Sequence, residues 1–102
     1  MIEITPVVAE GQRFLGVCIY LPKCTMHLLL NMNLMILDSY FDMNVLEKKC
    51  PVPMIQCTSI RFDSILEQNI SKVSEKAAEY GIITDMNVKE AIVCAFSQKE
   101  TP

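Results

Sequence analysis

RFDSILEQNISKVSEKAAEYGIITDMNVKEAIVCAF, residues 61–96, lays out helix, stop, turn and helix with local signals that agree. Asn69 stands at a cap position ahead of Ile70, Val73, Ala77 and Tyr80, which recur at helical spacing. Gly81 then stands where a helix ends on a left-handed residue. A second helix is expected to start from Asn87. Glu90 lies three residues on, at capping-box spacing, with Asn in place of the usual Ser or Thr. Val88, Ala91, Ile92 and Ala95 complete an i, i+3, i+4, i+7 apolar stripe. Ahead of both helices, Asp63 is expected to cap a short turn through Leu66 and Glu67.

Upstream of this segment the pattern is that of strands. Ile2 to Val8 reads as a first strand, joined through Glu10-Gly11-Gln12 to a second from Arg13 to Leu21, and the two should pair as a hairpin. The second strand is apolar almost throughout, which predicts cover on both faces. Gly16 within it suits a bulge or the close approach of a neighbour. Pro22 breaks the run, because proline has no N–H for a ladder. Thr25–Leu30 and Leu34–Leu37 flank Asn31-Met32-Asn33 as a second hairpin, since asparagine tolerates the positive φ of tight turns. Asp42 or Asn44 starts a short helix that ends in Lys48 and Lys49, matching the helix dipole, and Pro51 and Pro53 stop it. Residues 54–60 read as a fifth strand.

Strands first and helices last give the expected fold class. It is α+β, two-layer, with about five hairpin-linked strands in a largely antiparallel or mixed sheet and two or three helices concentrated in the C-terminal half. A chain of 102 residues supports a single compact domain spanning residues 1–102, with one core.

Composition excludes several classes of function. A net charge of −3, with Lys48-Lys49 the longest basic run, argues against nucleic-acid binding. The most apolar window, residues 26–37, is interrupted by His27, Asn31 and Asn33 and is shorter than the roughly 20 residues a spanning helix needs, so no membrane association is expected. The N-terminus lacks the basic and apolar pattern of a signal peptide. Five cysteines, an odd number without a Cys-x-x-Cys pair, fit free thiols in a reducing compartment. Cytoplasmic residence follows as the expectation. A hydrophobic fraction of 51% is high for so small a domain and predicts that part of the apolar surface meets another copy in a homo-oligomer.

Few residues are candidates for chemistry. His27 is the lone histidine, so a catalytic dyad or triad of the usual kind must use it, though a strand histidine more often packs or bonds to backbone. Cys24 and His27 have metal-ligand spacing but no matching second pair, so no metal is expected. Three glycines assemble neither a Walker loop nor a dinucleotide fingerprint, and no cofactor is expected. Asp38, Ser39 and Asp42 cluster after the fourth strand, where two carboxylates balanced by Arg61 suit a divalent ion or an acid–base pair. The plainer alternative makes Asp38 and Asp42 turn and cap residues, with Arg61 as a surface ion-pair partner.

The succession Glu10-Gly11-Gln12, Leu21-Pro22-Lys23, Phe41-Asp42-Met43 with Leu46, Ile60-Arg61, Gly81-Ile82, Met86 and Lys89-Glu90-Ala91 resembles the YunC-like family of small bacterial and archaeal proteins, a domain of unknown function. The resemblance runs nearly end to end and implies a compact α/β domain. The family pattern has Cys-Gly where this chain has Asp38-Ser39, and glycine where it has Asp85, so a thiol mechanism at that cysteine is not implied here. Lys23, Asp42 and Arg61 match the pattern.

Two functions are therefore expected. The first is a non-catalytic oligomeric module that binds a small anionic ligand or a protein partner, with Lys23, Arg61 and Asp42 as contacts. The alternative is a small hydrolase or lyase using Asp38 and Asp42 with Arg61, which requires those three side chains to share one pocket.

Overall fold

The computed structural model describes residues 1–97. Strands β1 (Ile2–Ala9) and β2 (Gln12–Leu21) form the first hairpin, running from Ile2 opposite Ile19 to Ala9 opposite Gln12. Its turn, Glu10-Gly11, has φ of 51° and 74°, the doubly positive pattern whose twist matches the flanking strands. Strand β3 (Cys24–Leu30) pairs antiparallel with β2, and β4 (Met35–Leu37) pairs antiparallel with β3. Between β3 and β4 no asparagine takes a positive φ. Instead Asn31 closes the turn with its side chain: Oδ1 accepts from the Asn33 N–H at 2.8 Å, and Nδ2 donates to the Arg13 carbonyl at 2.7 Å.

Helix α1 (Met43–Lys49) follows, then β5 (Met54–Cys57), a 3₁₀ segment (Phe62–Glu67), β6 (Ile70–Val73), α2 (Glu75–Glu79) and α3 (Val88–Ser97). The six strands lie in the order β1-β2-β3-β4-β5-β6 in one mixed sheet, so the fold is α+β with mostly C-terminal helices. Only β4 and β5 run parallel among the described strands, with α1 as the crossover. One face packs Leu29, Ile36 and Ile55 against Ala77, Ile82, Val88, Ala91 and Ile92 from the helical segment. On the other face α1 covers a smaller cluster of Leu37, Met43 and Met54. Among the described residues no helix is long and apolar enough to cross a membrane.

The stretch from Ile70 to Val73 is strand, not helix. Opposite β5, Val73 faces Ile55, Lys72 faces Gln56 and Ile70 faces Cys57, so Ser71 is an extra residue in a bulge. That insertion brings Ile70 and Val73 into the same core cluster although they are three apart. A bulged strand thereby carries the i, i+3 signature of a helix. The helix begins at Ser74, whose buried Oγ accepts the N–H of Ala77 at 3.1 Å and that of Met54 at 3.0 Å. Gly81 does terminate this segment on a positive φ of 88°, and the Asn87–Glu90 capping box closes reciprocally at 2.9 and 3.2 Å. The turn after β5 begins at Arg61 without a side-chain cap, so Asp63 does not serve as one.

β2 is likewise not covered on both faces. Phe14, Gly16 and Cys18 are buried beneath the helical side, whereas Leu15 and Leu21 on the opposite face are 44% and 45% exposed. The cluster under α1 draws in Leu28, Met35 and Leu37 of β3 and β4 but no residue of β2. Gly16 does mark a close approach: a Cβ there would sit 2.9 Å from Val7 and 3.0 Å from the Phe62 ring.

Ser74→Ala removes the acceptor for two N–H groups and should lower unfolding free energy by about 1–3 kcal/mol in urea titrations. Asn69→Ala should change it by less than about 0.5 kcal/mol. The reverse ranking would restore Asn69 as the cap.

Candidate functional site

The chain leaves the parallel strands β4 and β5 at one end of the sheet, and the residues that follow them face a common cleft. Asp38, Ser39 and Tyr40 come from the exit of β4, Thr58, Ser59 and Ile60 from that of β5, and Thr25 and His27 from β3 alongside. The cleft is open to solvent and has a volume of about 240 Å³. Carboxyl ends of parallel strands are where open sheets with crossover helices present loops to ligands. A larger hollow of about 500 Å³ lies over the start of α3, but it is a surface dish with no strand exit beside it.

Asp38 lines the cleft and is 3% exposed. Its Oδ2 accepts the His27 N–H, and its Oδ1 accepts the Tyr40 N–H at 3.1 Å. The carboxylate thus continues the β3–β4 ladder one step beyond Leu28 opposite Leu37. Behind it, buried Gln56 donates through Nε2 to the carbonyls of Asp38 at 2.8 Å and Phe41 at 2.7 Å, while Ser71 Oγ donates to the Gln56 carbonyl at 3.0 Å. Among the described residues no buried side-chain polar atom is left without a partner. A fully satisfied buried network of this kind fixes one loop conformation.

His27 packs as an aromatic ring. Its imidazole meets Phe62 edge-on, with centroids 5.5 Å apart and planes at 87°. Cys18 stands opposite it in the ladder, and burial pushes the Cys18 thiol up from its ordinary pKa. Cys57, at the end of β5, is pushed up by burial to about 11. Thiols so placed are poor nucleophiles at neutral pH.

The remaining residues singled out in the sequence lie elsewhere. Asp42 caps α1, its Oδ1 accepting from Asn44 at 3.0 Å and Val45 at 3.4 Å. Lys23 is exposed in the turn between β2 and β3. The Arg61 side chain is 72% exposed and lies 3.9 Å from Asp63, while its backbone N–H donates to Gln68 Oε1 at 2.8 Å. The cleft therefore brings together Asp38 and His27, and neither Asp42, Lys23 nor Arg61 lines it. Among the described residues no three His, Cys, Asp or Glu side chains are grouped to hold a metal. The hydroxyl residues Thr25, Tyr40, Thr58 and Ser59 were not singled out in the sequence. The signal for Tyr40, Thr58 and Ser59 is their place after β4 and β5, which becomes informative once those strands are known to be parallel neighbours, whereas Thr25 lies at the start of β3.

Asp38→Ala leaves two backbone N–H groups without their acceptor and should cost about 2–4 kcal/mol in denaturant unfolding. Asp42→Ala removes an exposed cap and should cost about 1 kcal/mol. Equal, small effects would show that the Asp38 network contributes little.

No family model matches this chain, and no curated protein does. Among solved structures the fold is similar to that of a protein of unknown function, TA1206 from Thermoplasma acidophilum, with a TM-score of 0.80 over 93% of each chain at 14% identity. At that identity the likeness establishes the shared fold and nothing of activity.

Proposed function

We propose that this protein is a non-catalytic module that works by association, a cytoplasmic homo-oligomer joined through the bare face of strands β1 and β2. The observation that carries this is the row of side chains on that face. Ile2, Ile4 and Val8 of β1 are 63%, 59% and 70% exposed, and Leu15 and Leu21 of β2 continue the patch. Soluble monomers rarely leave contiguous apolar patches above a few hundred Å² open to water.

The free edge of β1 favours face packing over strand addition. Tyr20 N–H bonds to the Met1 carbonyl at 2.8 Å, so Met1 and the alternate residues after it bond toward β2. Ile2, Ile4, Pro6 and Val8 therefore direct their backbone groups to the open edge, and Pro6 has no N–H to offer there. An incoming strand would meet a gap in mid-edge.

A small hydrolase or lyase is less well supported, because its three residues are not gathered in the cleft. Binding of a small anion through Lys23 and Arg61 is less well supported, because neither residue lines the cleft. Cytoplasmic residence is supported by five free cysteines. The YunC-like resemblance gains support at Asp85, where the family pattern has glycine: its φ of 78° is a conformation that favours glycine.

Light scattering after size exclusion should give a mass of at least two chains at micromolar concentration. Ile4→Lys combined with Leu15→Lys should yield a monomer with an unchanged far-UV spectrum. A wild-type monomer under those conditions contradicts the proposal.

A further inference from the structure

We infer that the cleft at the carboxyl ends of β4 and β5 binds a small organic cation through a primary ammonium group. This does not rest on the oligomer, since none of the exposed apolar residues of β1 and β2 lines the cleft.

Charge is the first reason. The cleft wall carries Asp38, and no lysine or arginine lines it. Arg61, just beyond Ile60, lies beside Asp63 instead. An anion would meet a carboxylate with no balancing cation, which is unfavourable in a partly desolvated site. A divalent metal ion wants several charged oxygens, and the cleft supplies one carboxylate. A single positive charge matches a single negative one.

Hydrogen-bonding capacity is the second. A carboxylate offers about four lone-pair sites, and backbone N–H groups of His27 and Tyr40 take two of those on Asp38. The cleft is also lined by Thr25, Ser39, Tyr40, Thr58 and Ser59, whose hydroxyl oxygens can accept hydrogen bonds. An ammonium brings three donors and no acceptor, so it can bond at once to the carboxylate and to neighbouring hydroxyl oxygens. The cleft is small, about 240 Å³, which suits a small ligand.

The full chain, labelled with ¹⁵N, is titrated with ethanolammonium, with neutral ethylene glycol and anionic glycolate as controls of similar size. The amide resonances of His27 and Tyr40 report directly, because both N–H groups rest on the Asp38 carboxylate. Ethanolammonium should shift them along a saturable curve, with both controls at least about tenfold weaker. Asp38→Asn should weaken binding by about tenfold or more, and Thr58→Val, which leaves the Asp38 network intact, by about threefold. The inference is overturned if glycol or glycolate binds as tightly, or if ethanolammonium gives no saturable shift below about 50 mM. It is also overturned if Thr58→Val and a folded Asp38→Asn both leave the curve unchanged. Light scattering on the same samples separates the two proposals: a monomer that binds ethanolammonium contradicts the oligomer alone.

Discussion

The parallel pairing of β4 with β5 depends on a buried polar knot at their carboxyl ends. A crossover this short must leave β4, turn, run two turns of helix and return, and its first turn is held by Asp38 and Gln56. Asp38 takes the backbone N–H groups of His27 and Tyr40, while Gln56 holds the carbonyls of Asp38 and Phe41. Those bonds tie β3, the crossover loop and β5 to one another. The loop so fixed places Asp42 at the N-cap of α1, and the helix then delivers Pro53, whose carbonyl accepts the Met35 N–H at 2.9 Å where the parallel pairing starts. Buried polar groups are costly when unpaired, so the network stabilises one arrangement and penalises its neighbours.

The same arrangement decides which surfaces remain open. Placing α2, α3 and the 3₁₀ segment on one face concentrates the main core there, and the short α1 shields only the region of β3 to β5 on the other. β1 and β2 extend past that shield with aliphatic residues outward. Stability is consequently uneven. Strand β1 has one paired edge and little burial, whereas Leu29, Ile36 and Ile55 in the sheet centre are fully buried. Association at the bare face would add stability where the isolated chain has least.

Much of the fold was legible in the sequence because local signals and tertiary structure agree. The Asn87–Glu90 box, the stripe through Ala95, the Glu10-Gly11 turn and the Asp42 cap all express interactions within a few residues. Ile70 to Val73 misled because the bulge at Ser71 gives a strand the spacing of a helix, and only pairing with β5 decides the outcome. The outer face of β2 misled for another reason: an apolar run indicates that cover is wanted, not that the same chain supplies it. Asp38 reads in the sequence as one of an acidic pair, yet its partners are the backbone of His27 and Tyr40 and the loop held by Gln56, none of which a charge pattern reveals. Thr58 and Ser59 became site residues only through the parallel neighbour relation of the strands they follow.

Native-state hydrogen exchange at the His27 and Tyr40 amides tests the knot most directly. If it holds the crossover, both amides exchange with an opening free energy close to that of Leu29 in the sheet centre, because releasing them requires the parallel pair to come apart. Exchange of either amide at the rate of exposed loop positions, with Leu29 still protected, would contradict that account.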